Sequence, residues 1–136
     1  MSFLYWDDAR LTALERVRGR PAYAFVFRPP AGGAPGAPGV AAVRAYLDTQ
    51  YNALVQTELI AADGRVLKTL SLVDLKRIGD QWTVRDVDVR NEATRDKTRF
   101  SATGAGLGLR FDRAILEPAR LPDGVPAPEP VERFGR

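Results

Sequence analysis

The chain has 136 residues, 20 Lys and Arg against 17 Asp and Glu, and neither cysteine nor histidine. That is one domain's worth of sequence, long enough to bury roughly two-thirds of its unfolded surface without a disulfide, and it lacks thiolate nucleophiles, cysteine zinc ligands and the usual general base near neutral pH. The charge excess is too small and dispersed for a nucleic-acid partner, and no apolar run approaches the ~18 residues of a membrane span.

At the N-terminus, MSFLYWDDARL has no basic leader and no apolar core with a small-residue cleavage site, so the text shows no secretory signal. Its abrupt aromatic start fits a native end or the cut edge of a longer precursor. Trp6 to Leu14 has a helical claim, with Asp7 or Asp8 as N-cap before Leu11 and Leu14; the competing reading opens the first strand at Ala13 to Arg18. Arg16, Arg18 and Arg20 alternate, which predicts a solvated face of an extended segment. Ala22 to Phe27 reads as a strand. Residues 29–39, PPAGGAPGAPG, can neither feed a regular ladder nor bury much surface, and predict a mobile hairpin connection inside one domain.

Val40 to Leu47 and Ala53 to Ala61 follow as strands on either side of Asp48-Thr49-Gln50-Tyr51-Asn52. Asp63-Gly64, Gly79-Asp80 and Asn91 to Asp96 mark the next turns. Runs of this length between Gly, Asp and Asn indicate an antiparallel meander. A helix over LKTLSLVDLKRI fails, because a stripe through Leu67 and Leu70 brings in Asp74. Strands at 66–78 and 81–91 would each span roughly 35–40 Å, long enough to twist and curl. The second changes its apolar parity between Val84 and Val87, which predicts a bulge near Arg85 to Asp86, or a strand whose Trp82 end faces a concave cavity while its Val87 and Val89 end is covered on the other side. The tail from Pro118, with five prolines, is expected to be extended or disordered.

Little chemistry stands out. Asp74, Asp86 and Asp88 could be offered as an acid/base or cation site, but Lys76, Arg77 and Arg90 beside them favour a charge-balanced outer face. Gly104-Ala105-Gly106-Leu107-Gly108 lacks the strand-to-helix context of a phosphate loop and reads as a strand-end bend. Tyr23, Phe25, Phe27, Val43, Ala45, Leu47, Leu70, Leu72, Trp82, Val84, Phe100 and Ala102 can form one continuous apolar surface, which is either ordinary core or the lining of an apolar ligand site.

In strand order, the chain resembles the C-terminal portion of the LolA-like outer-membrane lipoprotein-sorting family. The resemblance rests on FLYWDDARL, on GRPAYAFVFRP, and on VRAYLDTQYNALVQTELIAADGRVLKTLSLVDLKRIGDQWTVRDVDVRNEATRDKTRF, with its Asp-rich turn, Asp-Gly-Arg, Gly turn before Trp, Arg-Asn and Lys-Thr strand. It spans about residues 3–121 and is strongest over 43–100. It implies an unclosed, strongly curved sheet whose hydrophobic concave face binds acyl chains of lipoproteins in the periplasm.

These readings give a mainly β fold, a strongly curved antiparallel meander or half-barrel of about seven strands with little helix. Residues 1–121 form one domain and 122–136 a Pro-rich tail. The expected function is non-enzymatic binding of lipid or lipoprotein acyl chains in the cell envelope, without cofactor, metal or nucleic acid. The expected lining is Tyr23, Phe25, Phe27, Val43, Leu47, Leu70, Leu72, Trp82, Val84 and Phe100. The alternative is an interaction module with a solid core, joined to another envelope protein or to a second copy through a strand edge.

Overall fold

A computed structural model describes residues 2–34, 37–112, 117–124 and 129–135. Seven strands follow one another in space as in sequence: β1 (Asp8–Val17), β2 (Arg20–Arg28), β3 (Ala42–Asp48), β4 (Leu54–Ile60), β5 (Val66–Ile78), β6 (Gln81–Asn91) and β7 (Lys97–Ser101). All neighbours are antiparallel and β1 does not meet β7, so the sheet is an open, curved meander. A short ribbon, β8 (Gly104–Ala105) with β9 (Glu132–Arg133), stands beside it. The described helical residues are two 3-10 turns, Ser2–Tyr5 and Pro118–Asp123.

Tight turns set the register. Val17 pairs with Arg20 across Arg18-Gly19, and both turn residues have positive φ (51° and 82°). That combination belongs to a type I′ hairpin, whose twist matches the flanking strands. The alternating arginines therefore do not share one strand face. Arg16 is the last residue but one of β1, Arg18 occupies the turn and donates to the Leu72 carbonyl at 2.8 Å, and Arg20 opens β2. Gly79-Asp80 joins Ile78 to Gln81, with Gly79 at φ 54°.

The helical claim of Trp6 to Leu14 yields to the strand. The three-residue spacing of Leu11 and Leu14 that suggested a helix comes from a β-bulge at Thr12, after which Ala13 pairs with Ala24 and Leu14 with Tyr23. Thr12 Oγ1 donates to the Ala24 carbonyl at 3.0 Å and ties the bulge to β2. Further register shifts fall between Tyr46 and Leu47, between Leu59 and Ile60, and between Leu72 and Leu75. In the last of these, Val73 lies unpaired on β5 and Arg85 on β6, so the bulge in the long hairpin is present.

Two small cores form on opposite sides of the sheet. Phe3, Val40, Val43 and Ala45 make one, joined by Trp6, Phe27, Leu47, Leu54, Leu59 and Leu67. Ala22, Ala24 and Tyr46 make the other, with Ala13, Val17 and Val55. The Pro/Gly/Ala connection does bury surface, because Ala34 and Ala37 pack on the first core. Part of the tail also has a partner, since β9 pairs with β8.

Asp48 fixes the β3–β4 turn. Its Oδ1 accepts from the backbone N–H of Gln50 at 2.9 Å and of Tyr51 at 3.0 Å, and its Oδ2 accepts from Arg20 Nε at 2.6 Å. The Arg20 hydrogen bond, followed by the backbone bonds, holds its carboxyl down at about 2. A depressed folded-state value supplies stability that is complete above the unfolded value near ~3.9 and is lost as pH falls toward 2. Asp48→Asn should therefore lower the melting temperature at pH 7, and the gap to the wild type should narrow between pH 4 and pH 2 in thermal melts; a gap constant over that range would contradict the assignment.

Candidate ligand cavity

Cross-strand register sorts the side chains into two faces. One row runs across all seven strands as Leu11, Phe25, Ala45, Thr57, Leu70, Val89 and Thr98. The row beside it is Ala9, Phe27, Val43, Leu59, Lys68 and Asn91. Leu14, Tyr23, Leu47 and Leu54 continue this face at one end, and Leu72, Val87 and Phe100 at the other. This is the apolar face.

The opposite face carries the charges, and they are paired. Arg44 Nη1 lies 3.2 Å from Glu58 Oε2. Buried Asp88 takes both guanidinium nitrogens of Arg99, at 2.6 and 2.9 Å, and Lys97 Nζ at 3.0 Å. These donors, Arg99 first, hold the Asp88 carboxyl well below the usual carboxylate range. Asp74 and Asp86 share Arg85. The three aspartates thus form the charge-balanced face expected of them.

A lid covers the middle of the apolar face. Phe3, 5% exposed, sits edge-on to Phe27 with ring centroids 5.2 Å apart and edge-on to Trp6 at 6.5 Å. Under this turn and under Ala34, Ala37 and Val40 is a cavity of about 240 Å³. Its floor is Val43, Thr57, Leu59, Lys68, Leu70 and Val89; its cover is Ser2, Phe3, Trp6, Ala34, Ala37 and Val40. Two polar side chains break the apolar floor, and Ser2 adds a hydroxyl in the cover. Thr57 is 6% exposed and its buried hydroxyl has no hydrogen-bond partner among the described residues. Lys68 stands exposed at the cavity, directly across from Leu59, and none of the ion pairs among the described residues includes it.

Of the ten residues expected to line a ligand site, Val43 and Leu70 border this cavity. Phe27 and Leu47 pack into its supporting core. Tyr23, Phe25 and Phe100 share the face outside the cavity, and Phe100 is 66% exposed. Trp82 and Val84 lie beyond the bulges at Val73 and Arg85 and do not border this cavity, and Trp82 is 63% exposed. Trp82 borders a second cavity of about 570 Å³, together with Arg18, Arg20, Asp48, Tyr51 and Leu75. Leu72, at the bulge, also borders it. That cavity is larger, but its charges serve one another: Arg20 binds Asp48 and lies 5.1 Å over the Tyr51 ring.

Sequence reasoning missed Phe3, Trp6, Ala37, Thr57 and Lys68. The last two left a signal, because each falls on the strand parity that otherwise carries Leu59, Leu70 and Val43.

The fold and site define an open antiparallel sheet with one face polar and the other partly lidded over a small apolar cavity. Three solved structures share this fold. A domain described as that of an outer membrane lipoprotein-sorting protein from Vibrio parahaemolyticus matches 68% of this chain and 38% of its own, with TM-score 0.58 at 19% identity. A DUF1329 family protein from Desulfovibrio piger matches 84% of this chain and 46% of its own, with TM-score 0.61 at 18% identity. A LolA superfamily protein from Nitrosomonas europaea matches 84% of this chain and 50% of its own, with TM-score 0.58 at 11% identity. The chain spans half or less of the length of each. No family model and no curated protein matches the sequence. The expected LolA-like fold is thus present at the level of architecture.

An unsatisfied buried hydroxyl costs free energy that an apolar group of the same shape does not. Thr57→Val should stabilise the ligand-free protein by about 1 kcal/mol in denaturant titration; a loss of stability would show that the hydroxyl has a partner.

Proposed function

We propose that the protein binds a single apolar chain, such as the acyl chain of a lipid or lipoprotein, beneath the Phe3–Trp6 turn, without chemical change to it. The observation that carries this reading is the covered cavity itself, since it sits on the apolar face yet is left unfilled between the sheet and its lid. Burial of apolar surface supplies the affinity, at about 25 cal/mol per Å². At about 240 Å³ the cavity is below the ~300–1,000 Å³ of typical small-molecule sites, which suits one chain rather than two. Likeness to a lipoprotein-sorting domain and a LolA superfamily protein supports the same reading at the level of fold, and with it an envelope or periplasmic setting. Among the described residues no helix is long and apolar enough to cross a membrane.

An interaction module remains the competing reading, favoured by the exposed Leu11 and Leu14 on edge strand β1. An open edge offers unpaired backbone groups to another strand.

Solvent extracts of the purified protein, analysed by mass spectrometry, should contain lipid, and a fluorescent fatty acid should bind the delipidated protein. Ala37→Phe, placed in the lid, should fill the cavity and weaken probe binding at least about tenfold, a loss of ~1.4 kcal/mol, while thermal melts show the fold intact. Lipid-free extracts together with no probe binding would overturn the reading.

A further inference from the structure

The two polar side chains on the cavity floor say what the head of such a chain should be, and this step rests on the apolar-chain reading above. Thr57 pairs with Leu70 and Leu59 with Lys68, so Thr57 and Lys68 are diagonal neighbours on one face of adjacent strands. Such positions lie about 7–8 Å apart, within joint reach of one small group because a lysine side chain is long and flexible. Ala45, the residue across from Thr57 on the other side, is small.

Each group has unused hydrogen-bonding capacity. The Thr57 hydroxyl is buried without a partner, and the Lys68 ammonium belongs to none of the ion pairs among the described residues, which elsewhere take up Arg20, Arg44, Arg85, Arg90, Lys97 and Arg99. A hydroxyl and an ammonium can both donate, and one anionic oxygen group can accept from both.

We infer that the cavity takes a single-chain amphiphile with a carboxylate head, its oxygens accepting hydrogen bonds from Thr57 Oγ1 and Lys68 Nζ. The chain lies against Val43, Leu59, Leu70 and Val89 under the lid. One compact ammonium matches one negative charge, whereas a doubly charged phosphate would leave a second charge without a cation on the cavity floor. Thr57 and Lys68 are then specificity-determining residues: the apolar wall retains any chain, and these two select its head.

Competition titrations against a bound fluorescent probe should compare decanoate with 1-decanol at pH 7 and low salt. The wild type should prefer decanoate by about tenfold, as a charge-assisted hydrogen bond supplies. Lys68→Gln and Thr57→Val should each lose most of that preference, and Lys76→Gln, which removes an exposed cation elsewhere on β5, should retain it. Equal affinity of the wild type for the two compounds, or a preference that survives both substitutions, would overturn the head-group assignment and leave the apolar-chain reading standing. Failure of both compounds to displace the probe, with no lipid in extracts, would overturn the two together.

Discussion

Side chains alternate between the faces of a strand, so one extra residue moves everything beyond it to the other side. The whole architecture depends on how this chain spends its extra residues. At Thr12, Val55, Leu67 and the Val73–Arg85 pair, unpaired residues reset the alternation. The bulge at Thr12 lets Leu11 and Leu14 share the apolar face, and that at Val55 does the same for Leu54 and Thr57. Without those two, leucines would move to the face where Ala24, Arg44, Asp88 and Arg99 build the polar network. Bulges also increase local twist, which is how a seven-stranded meander bends without closing.

A sheet with one apolar face must cover it, and this one does so sparingly. The lid is one 3-10 turn and a loop of small residues, anchored by the edge contacts of Phe3 with Phe27 and Trp6. Alanine and proline in the loop suit the task. A bulkier cover would reach the floor and close the space that Ala34 and Ala37 leave open. Beyond the lid, Leu11, Leu14 and Phe100 remain exposed.

The strands were legible because Gly, Asp and Asn punctuate them and because 66–78 and 81–91 are too long to mistake; the structure bounds both at the expected residues. Two things were not legible. Bulges imitate other periodicities, so the three-residue gap from Leu11 to Leu14 read as helix. The cover was also hidden, since nothing in PPAGGAPGAPG announces that two of its alanines pack on Val43 and Phe3. The parity break in β6 was readable from sequence, because Val84 and Val87 cannot share a face of a regular strand. What could not be read was which end would be lidded, a matter of where Phe3 returns along the chain.

The two polar residues on the apolar face carry the argument from fold to function. If the sheet had only to be solid, position 57 would be best filled by valine, which has the shape of threonine and no hydroxyl to strand. Lys68 could project into water without loss from either face, yet it stands on the apolar one, diagonal to the orphaned hydroxyl and in none of the ion pairs among the described residues. A packed interaction module gives no reason for either residue. A cavity that receives an anionic head explains both at once, because the cost of leaving Thr57 unpaired in the empty protein is recovered when an acceptor arrives, and recovered only by ligands that bring one.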